Sequence, residues 1–339
     1  CGGGSSTSSE AGSTTAGAAD TTAADTTAAA VADPNATYKE TLHIAVSQQA
    51  PSLDLHKNST LIARQMCDGT VFEKLVTLNA KAEAVPELCE SYEVSEDGKT
   101  ITFVLRKGVK FHDGSEMTAD DVVASMNRWL EGFSSAGNMV GDARFEKVDD
   151  YTVKIVGETP LILLPAMIAG AAQPAAITTA EACADEDSNG FLKNYIGTGP
   201  YKFDSWVPDA SVKLVKFDDY VPVEEEASGF AGKRVAYANE IDIQFVTDES
   251  VRVSGVETGE FMFAEEISQD KYSQVESSEN TVPQIMDSDV EGMLTFNCGA
   301  APFDDLNARK AVAIGLDLEE LATAQIGDEN FWSLDGCLF

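Results

Sequence analysis

DGKTITFVLRKGVKFHDGSEMTADDVVASMNRW, residues 97–129, changes its apolar spacing midway, and that change sets the fold. Just upstream, Tyr92 and Val94 alternate with polar neighbours. After SEDG, Ile101, Phe103 and Leu105 alternate the same way, the period of a strand with one buried face. Asp97-Gly98 between two such runs predicts a β-hairpin. A second break at Lys107-Gly108 precedes Val109 and Phe111, and HDG at 112–114 closes that strand, with Gly114 able to take a positive φ. From Thr118 the period lengthens. Thr118 and Asp121 stand three apart as an aspartate form of the capping box, and Val122, Met126, Trp129 and Leu130 fall on one helical face.

His112 lies inside this stretch and reads as a turn residue, with Asp113 bonding its own turn backbone. Nucleophilic chemistry needs a Ser or Cys on a strained elbow, and no GxSxG occurs. His43, His56 and His112 make no HExxH or other helical metal pair. No catalytic residue, metal site or cofactor is therefore expected, and the chain reads as a binder rather than an enzyme.

Composition narrows the classes further. The 339 residues hold 23 Lys and Arg against 57 Asp and Glu, a formal charge of −34, with the basic residues scattered; this argues against nucleic acid as a partner. The longest apolar run, 161–177, falls short of the ~20 residues of a membrane helix and is broken by Pro165 and Pro174. Cys67, Cys89, Cys183, Cys298 and Cys337 show no CxxC and no paired spacing, so most of them read as ordinary small buried residues. Cys1 differs. It is followed by Gly, Ser, Thr, Ala and Asp almost without exception, a composition that cannot offset its ordering entropy. Such a tether of roughly 36 residues has a coil-like reach of about 30 Å.

Beyond the tether, ETLHIAVSQ (40–48) alternates Leu42, Ile44 and Val46 on one strand face and puts His43 on the other. Residues 59–79 read as a helix behind a Ser59 N-cap, leading into a strand. In IGTGPYKF (196–203), Gly197 and Gly199 permit a tight backbone path and Tyr201 and Phe203 start a strand; no GK[ST] follows, so phosphate binding is not expected. Near the end, Asp304 or Asp305 can cap a helix carrying Val312 and Ile314, and Asp317 with Glu320 opens another that stops at Gly327.

The run 97–129 closely resembles the signature of the solute-binding proteins of the peptide/nickel class (family 5) that feed ABC importers. Three further blocks match in the family's order: IGTGPYKFDSW (196–206), EIDIQFVTDESVRVSGVETGEF (240–261) and FNCGAAPFDDLNARKAVAIGLDLEEL (296–321). The resemblance implies an α/β, two-lobed periplasmic-binding-protein-like fold of type II, closing by hinge motion around its ligand. It places lobe I at 38–270, nearly complete, and the start of lobe II at 271–339, only partial, so the chain reads as C-terminally truncated. The fragment is then expected to be less stable than a complete chain.

The same resemblance implies capture of oligopeptides or dipeptides for delivery to a membrane permease. A nickel or metal-chelate binder of the same family and, from another class, a secreted hydrolase are the competing readings. His56 to Ile62 aligns with the family segment beside the ligand, and the loop after Trp129 and the GTGPY turn lie on the cleft side. Asn58, Ser59, Ser134 and Thr198 are thus the candidate ligand contacts, although each can equally serve as a cap or turn bond. Cys1 with its tether resembles a mature bacterial lipoprotein, implying a lipid anchor on Cys1, a place at the outer face of the cytoplasmic membrane or in the periplasm, and a monomer.

Overall fold

The computed structural model of the protein describes residues 39–285, 294–328 and 331–334; Cys1, the tether at 1–37 and Cys337 lie outside them. In chain order the elements are β1 (Lys39–Val46), α1 (Leu61–Cys67), β2 (Val76–Leu78), β3 (Ala84–Pro86), β4 (Cys89–Val94), β5 (Thr100–Leu105), α2 (Ala119–Gly132), α3 (Ser134–Val140), β6 (Phe145–Asp149) and β7 (Thr152–Val156). There follow α4 (Leu164–Ala169), α5 (Ala180–Ala184), β8 (Tyr201–Val207), β9 (Ser211–Lys216), β10 (Ala238–Phe245), α6 (Glu249–Thr258), β11 (Phe263–Ala264), α7 (Tyr272–Ser277), α8 (Leu306–Gly315) and α9 (Leu318–Ile326).

The expected hairpin is the heart of an antiparallel sheet ordered β4-β5-β7-β6. Tyr92 pairs with Phe103 and Val94 with Ile101, the first pair stacking its rings at 5.8 Å. Gly98 turns the chain with φ +70°. Helix α2 covers the apolar face: Val122, Met126, Trp129 and Leu130 are buried against Ile101, Phe103, Leu105, Val153 and Ile155. Burying one such side chain contributes about 1.5–3 kcal/mol, so this seam dominates the local stability. The helix start is fixed as the spacing predicts, Asp121 accepting the Thr118 N–H and hydroxyl at 3.0 Å each. Val109 and Phe111 are buried but form no strand. Gly108 (φ +74°) and Gly114 (φ +90°) reverse the chain on both sides, leaving only an isolated bridge between Lys110 and Glu116.

A second sheet runs β11-β1-β10-β9-β8, with β1 parallel to both of its neighbours. Val46 enters a second core with Ile62, Met66, Phe72, Val212, Leu214 and Ile243, while Leu42 and Ile44 pack against it half-buried. His43 faces away and meets Asp242 of β10 at 3.2 Å. Helix α1 begins one residue later than the sequence suggested: Thr60, not Ser59, is its N-cap. The cause is Asn58, whose Oδ1 accepts the Thr60 N–H at 3.0 Å and holds Ser59 in a turn.

Every described residue after Phe261 is at least partly exposed. There Asp305 caps α8 and Asp317 caps α9, accepting the N–H groups of Asn307 and Glu320 at 2.7 and 3.0 Å, and Gly327 ends α9 with φ +90°. Of the cysteines expected to be mostly buried, Cys67 and Cys89 are buried, Cys183 is half-buried and Cys298 is exposed. Among the described residues no helix is long and apolar enough to cross a membrane.

Candidate functional site

The segment Ser52–Thr60 is locked onto α2 from below. Asp54, fully buried, takes a two-pronged contact from Arg128, Nη1 to Oδ1 at 2.9 Å and Nη2 to Oδ2 at 2.6 Å. It also accepts the N–H groups of His56 and Leu192, each at 3.0 Å. Burial alone would raise the Asp54 carboxyl; the Arg128 fork more than offsets this and leaves it below its usual range. Arg128 Nε reaches Glu186 at 2.9 Å, and Lys57 reaches the same oxygen at 2.7 Å.

His56 completes the lock. Arg128 has no acceptor, so the 3.1 Å contact makes His56 Nδ1 the acceptor and leaves Nε2–H to donate to the Ala176 carbonyl at 2.7 Å. Burial foremost pushes this imidazole down to about 4, so it is neutral at ordinary pH. The Gln173 amide donates to the His56 carbonyl, and Trp129 Nε1 donates to the Gln173 carbonyl at 2.9 Å. A Cβ on Gly132 would stand 2.0 Å from the His56 carbonyl oxygen, so only glycine lets the end of α2 come this close.

These contacts bring the segment carrying Asn58 and Ser59 beside the α2–α3 junction that carries Ser134. Ser59 and Ser134 are exposed. Asn58 is buried and turned inward, donating to the Ser52 carbonyl. Thr198 lies apart and is also turned inward: its hydroxyl donates to Glu73 Oε2 at 2.8 Å, and its side chain is almost fully buried. Two of the four candidates therefore offer free hydroxyls at a surface, and two spend their polar atoms inside.

The turn bearing Thr198 is welded to residues 70–73 and to His112. Cβ atoms on Gly197 and Gly199 would stand 1.9 and 2.2 Å from the carbonyl oxygens of Val71 and Thr70. His112 Nδ1 accepts the Gly197 N–H at 3.2 Å, so its Nε2–H donates to the Gly199 carbonyl at 3.0 Å. Burial foremost lowers His112 to about 4. Asp113 accepts the Ser115 N–H at 2.9 Å, so FHDG is a structural turn.

Sequence reasoning did not single out Asp54, Arg128, Glu73, Glu87 or Arg234, whose carboxylates and guanidinium groups carry most of the buried charge. Two cavities open elsewhere. One of about 200 Å³ is lined by Asp68, Lys74, Thr77 and Arg234 among others, and one of about 460 Å³ by Val256, Phe261, Met262 and Asn280 among others; none of the four candidates lines either. Among the described residues no group of three or more His, Cys, Asp or Glu is placed to hold a metal ion.

Comparison with known proteins matches residues 83–329 to the family model of bacterial extracellular solute-binding proteins, family 5. A probable peptide ABC transporter periplasmic-binding protein, y4tO, from Sinorhizobium fredii is 30% identical over 268 residues, covering 77% of this chain and 50% of that protein. The solved structure of the binding protein AgaA from A. tumefaciens R10, in complex with agropinic acid, is 28% identical with a TM-score of 0.60, over 70% of this chain and 46% of that one. DppA from Helicobacter pylori, in complex with the peptide STSA, shares the fold at a TM-score of 0.67 and 22% identity, over 86% of this chain and 59% of that one. The chain spans about half the length of the curated relatives it matches.

Proposed function

The chain belongs to the bacterial extracellular solute-binding proteins of family 5, and from that premise we propose that it is the capture component of an ABC importer for dipeptides or oligopeptides. The observation that carries this reading is the 268-residue match to a probable peptide-binding relative. Residues 38–270 serve as the first lobe in this proposal, with a second starting near Lys271.

Capture needs no bond to be made or broken. A peptide in extended form offers unpaired N–H and C=O groups, which hydroxyls on a rigid rim can satisfy directly or through water. Ser59 and Ser134 are the proposed direct contacts. Asn58 and Thr198 act from behind, the first holding the Ser59 turn and the second holding the Gly197–Tyr201 turn. The Asp54–Arg128–His56 lock keeps the rim in place, so little ordering entropy is lost on binding. The nickel reading draws less support, because His56 and His112 spend both ring nitrogens inside the fold.

The proposal extends to delivery: the loaded protein, a monomer, docks on a permease, and a lipid on Cys1 with the tether at 2–37 keeps it close. A single lipid chain anchors only marginally, so stable retention needs more than one.

Isothermal titration of the protein expressed from its own gene tests the reading, using a mixed short-peptide library, free Ni²⁺ and a nickel–histidine chelate in turn. Saturable heat with peptides is expected, with the peptides recovered intact by mass spectrometry. Saturation by nickel or its chelate alone overturns the peptide assignment, and cleavage products overturn capture without chemistry.

A further inference from the structure

The buried acids that the proposed peptide site does not use meet at a second junction. Glu73 and Glu87 are 2% and 4% exposed, and both reach Nη1 of Arg234, at 3.0 and 2.5 Å. Glu73 also accepts from Thr198 Oγ1 at 2.8 Å and from the Tyr220 hydroxyl at 2.9 Å. Glu87 accepts the Lys74 N–H at 2.7 Å. The other charges nearby do not neutralise the pair. Lys74 Nζ is taken by Asp68 at 2.9 Å, and Arg106 Nη1 donates to the Glu87 main-chain carbonyl at 3.1 Å rather than to its carboxylate.

Fully ionised, this junction holds two carboxylates against one guanidinium, a negative charge in excess where water is scarce. Such a charge is costly, and one proton removes it. The partners come from separate stretches: Glu73 precedes β2, Glu87 lies between β3 and β4, Thr198 sits in the turn before β8, and Tyr220 and Arg234 lie in the excursion 217–237 that joins β9 to β10. Arg234 Nη2 also holds the Phe230 carbonyl at 2.6 Å, so this side chain ties the excursion to the two acids, alongside bonds from Tyr220 to Glu73 and from Arg106 to the Val221 and Pro222 carbonyls.

We propose that one proton on Glu73, beside the Glu87 carboxylate, latches the excursion 217–237 and the Gly197–Tyr201 turn onto the β2–β3 hairpin, and that its loss loosens the excursion. A proton on Glu73 Oε2 keeps the 2.8 Å contact, since the Thr198 hydroxyl can turn from donor to acceptor. Burial, and then the neighbouring Glu87, pushes Glu73 up to about 7, which puts the exchange near neutral pH. The cavity of about 200 Å³ is lined by Arg234, which bonds both acids, and by Lys74, the neighbour of Glu73. Thr77 Oγ1, 1% exposed, lines that cavity without a partner among the described residues, a place that suits water. The latch requires nothing about the ligand and stands whether or not a peptide is bound.

Hydrogen exchange of the native protein, read by mass spectrometry between about pH 5.5 and 8.5, is the test. Between about pH 5.5 and 7, amides of 217–237 should exchange faster by up to about tenfold per pH unit beyond the rise common to all amides, and this extra rise should level off above about pH 7, where Glu73 is ionised in the closed state as well. Glu73→Gln should remove that extra rise. If Glu73→Gln does not fold, Glu87→Gln provides the same test, because neutralising either acid cancels the excess charge. Infrared spectra of the unaltered protein add a reading that needs no variant: a protonated-carboxyl band should disappear near neutral pH. Equal pH response in the variant and the parent, or no such band titrating there, overturns the proposal.

Discussion

Arg128 and Arg234 are both sequestered cations set among acids, and they are used in opposite ways. Arg128 meets Asp54 with both prongs of its fork, leaves Glu186 half-exposed on its far side, and has a neutral imidazole beside it. Lys57 holds the same Glu186 oxygen at 2.7 Å, so two cations face two carboxylates, the charges balance, and the cluster can stay fixed across a wide pH range. Arg234 instead lies between two buried acids. The difference teaches that a buried ion cluster is rigid or responsive according to its count of charges, more than to the number of its hydrogen bonds.

The largest effect should come from unbalancing the rigid cluster. Arg128→Met leaves the Asp54 carboxylate buried without a cation, and should cost about 3–5 kcal/mol in chemical denaturation. Asp54→Asn in the same chain should recover part of that loss. A cost below about 1 kcal/mol would mean that the cluster is not the fixed one of the two.

A smaller effect separates the clusters by pH. His56 is lowered to about 4, chiefly by burial, whereas the unfolded chain binds that proton from about 6.5 downward. Between those values the unfolded state holds more protons, so stability should fall as pH drops, with His56 contributing about 1.4 kcal/mol per pH unit. His56→Gln should reduce the slope of thermal midpoints over that acid range, the share of His112, also lowered to about 4, remaining, while leaving the neutral-pH response of Glu73 intact. A slope unchanged in the variant would place the acid response elsewhere.

The smallest effect on stability should come from the rim. Ser59→Ala and Ser134→Ala remove exposed hydroxyls and should shift the unfolding free energy by no more than about 0.5 kcal/mol. Titration calorimetry should nevertheless show weaker peptide binding. Unchanged affinity in both would remove these serines from the proposed contact set.

What the sequence made legible was local. The hairpin at Tyr92–Leu105, the Thr118–Asp121 helix start and the caps at Asp305 and Asp317 depend on neighbours a few residues away, so spacing and turn chemistry reveal them. The one-residue slip from Ser59 to Thr60 came from an Asn58 side-chain bond that no periodicity encodes. The ion clusters depend on distance along the chain: Asp54 finds Arg128 74 residues on, and Glu73 finds Arg234 161 residues on. A trace of the second cluster was present in VFEKLV (71–76), where a charged pair interrupts an apolar run without a turn signal. Arg128, by contrast, looks like an ordinary polar residue of an amphipathic helix. Thr198 read as a candidate ligand contact or turn bond because nothing nearby announces that Glu73 takes its hydroxyl.

The place of β1 between β10 and β11 has a consequence for biosynthesis. Its pairing partners come late, with His43 opposite an aspartate 199 residues further on. A ribosome releases β4 through β7 long before it releases β10, so the antiparallel sheet can close while β1 still has two bare edges. Such a strand invites pairing with other chains. A polypeptide stalled after β7 is therefore the species most in need of a chaperone, and mutations that slow β10 formation should show up as lost yield before they show up as lost binding.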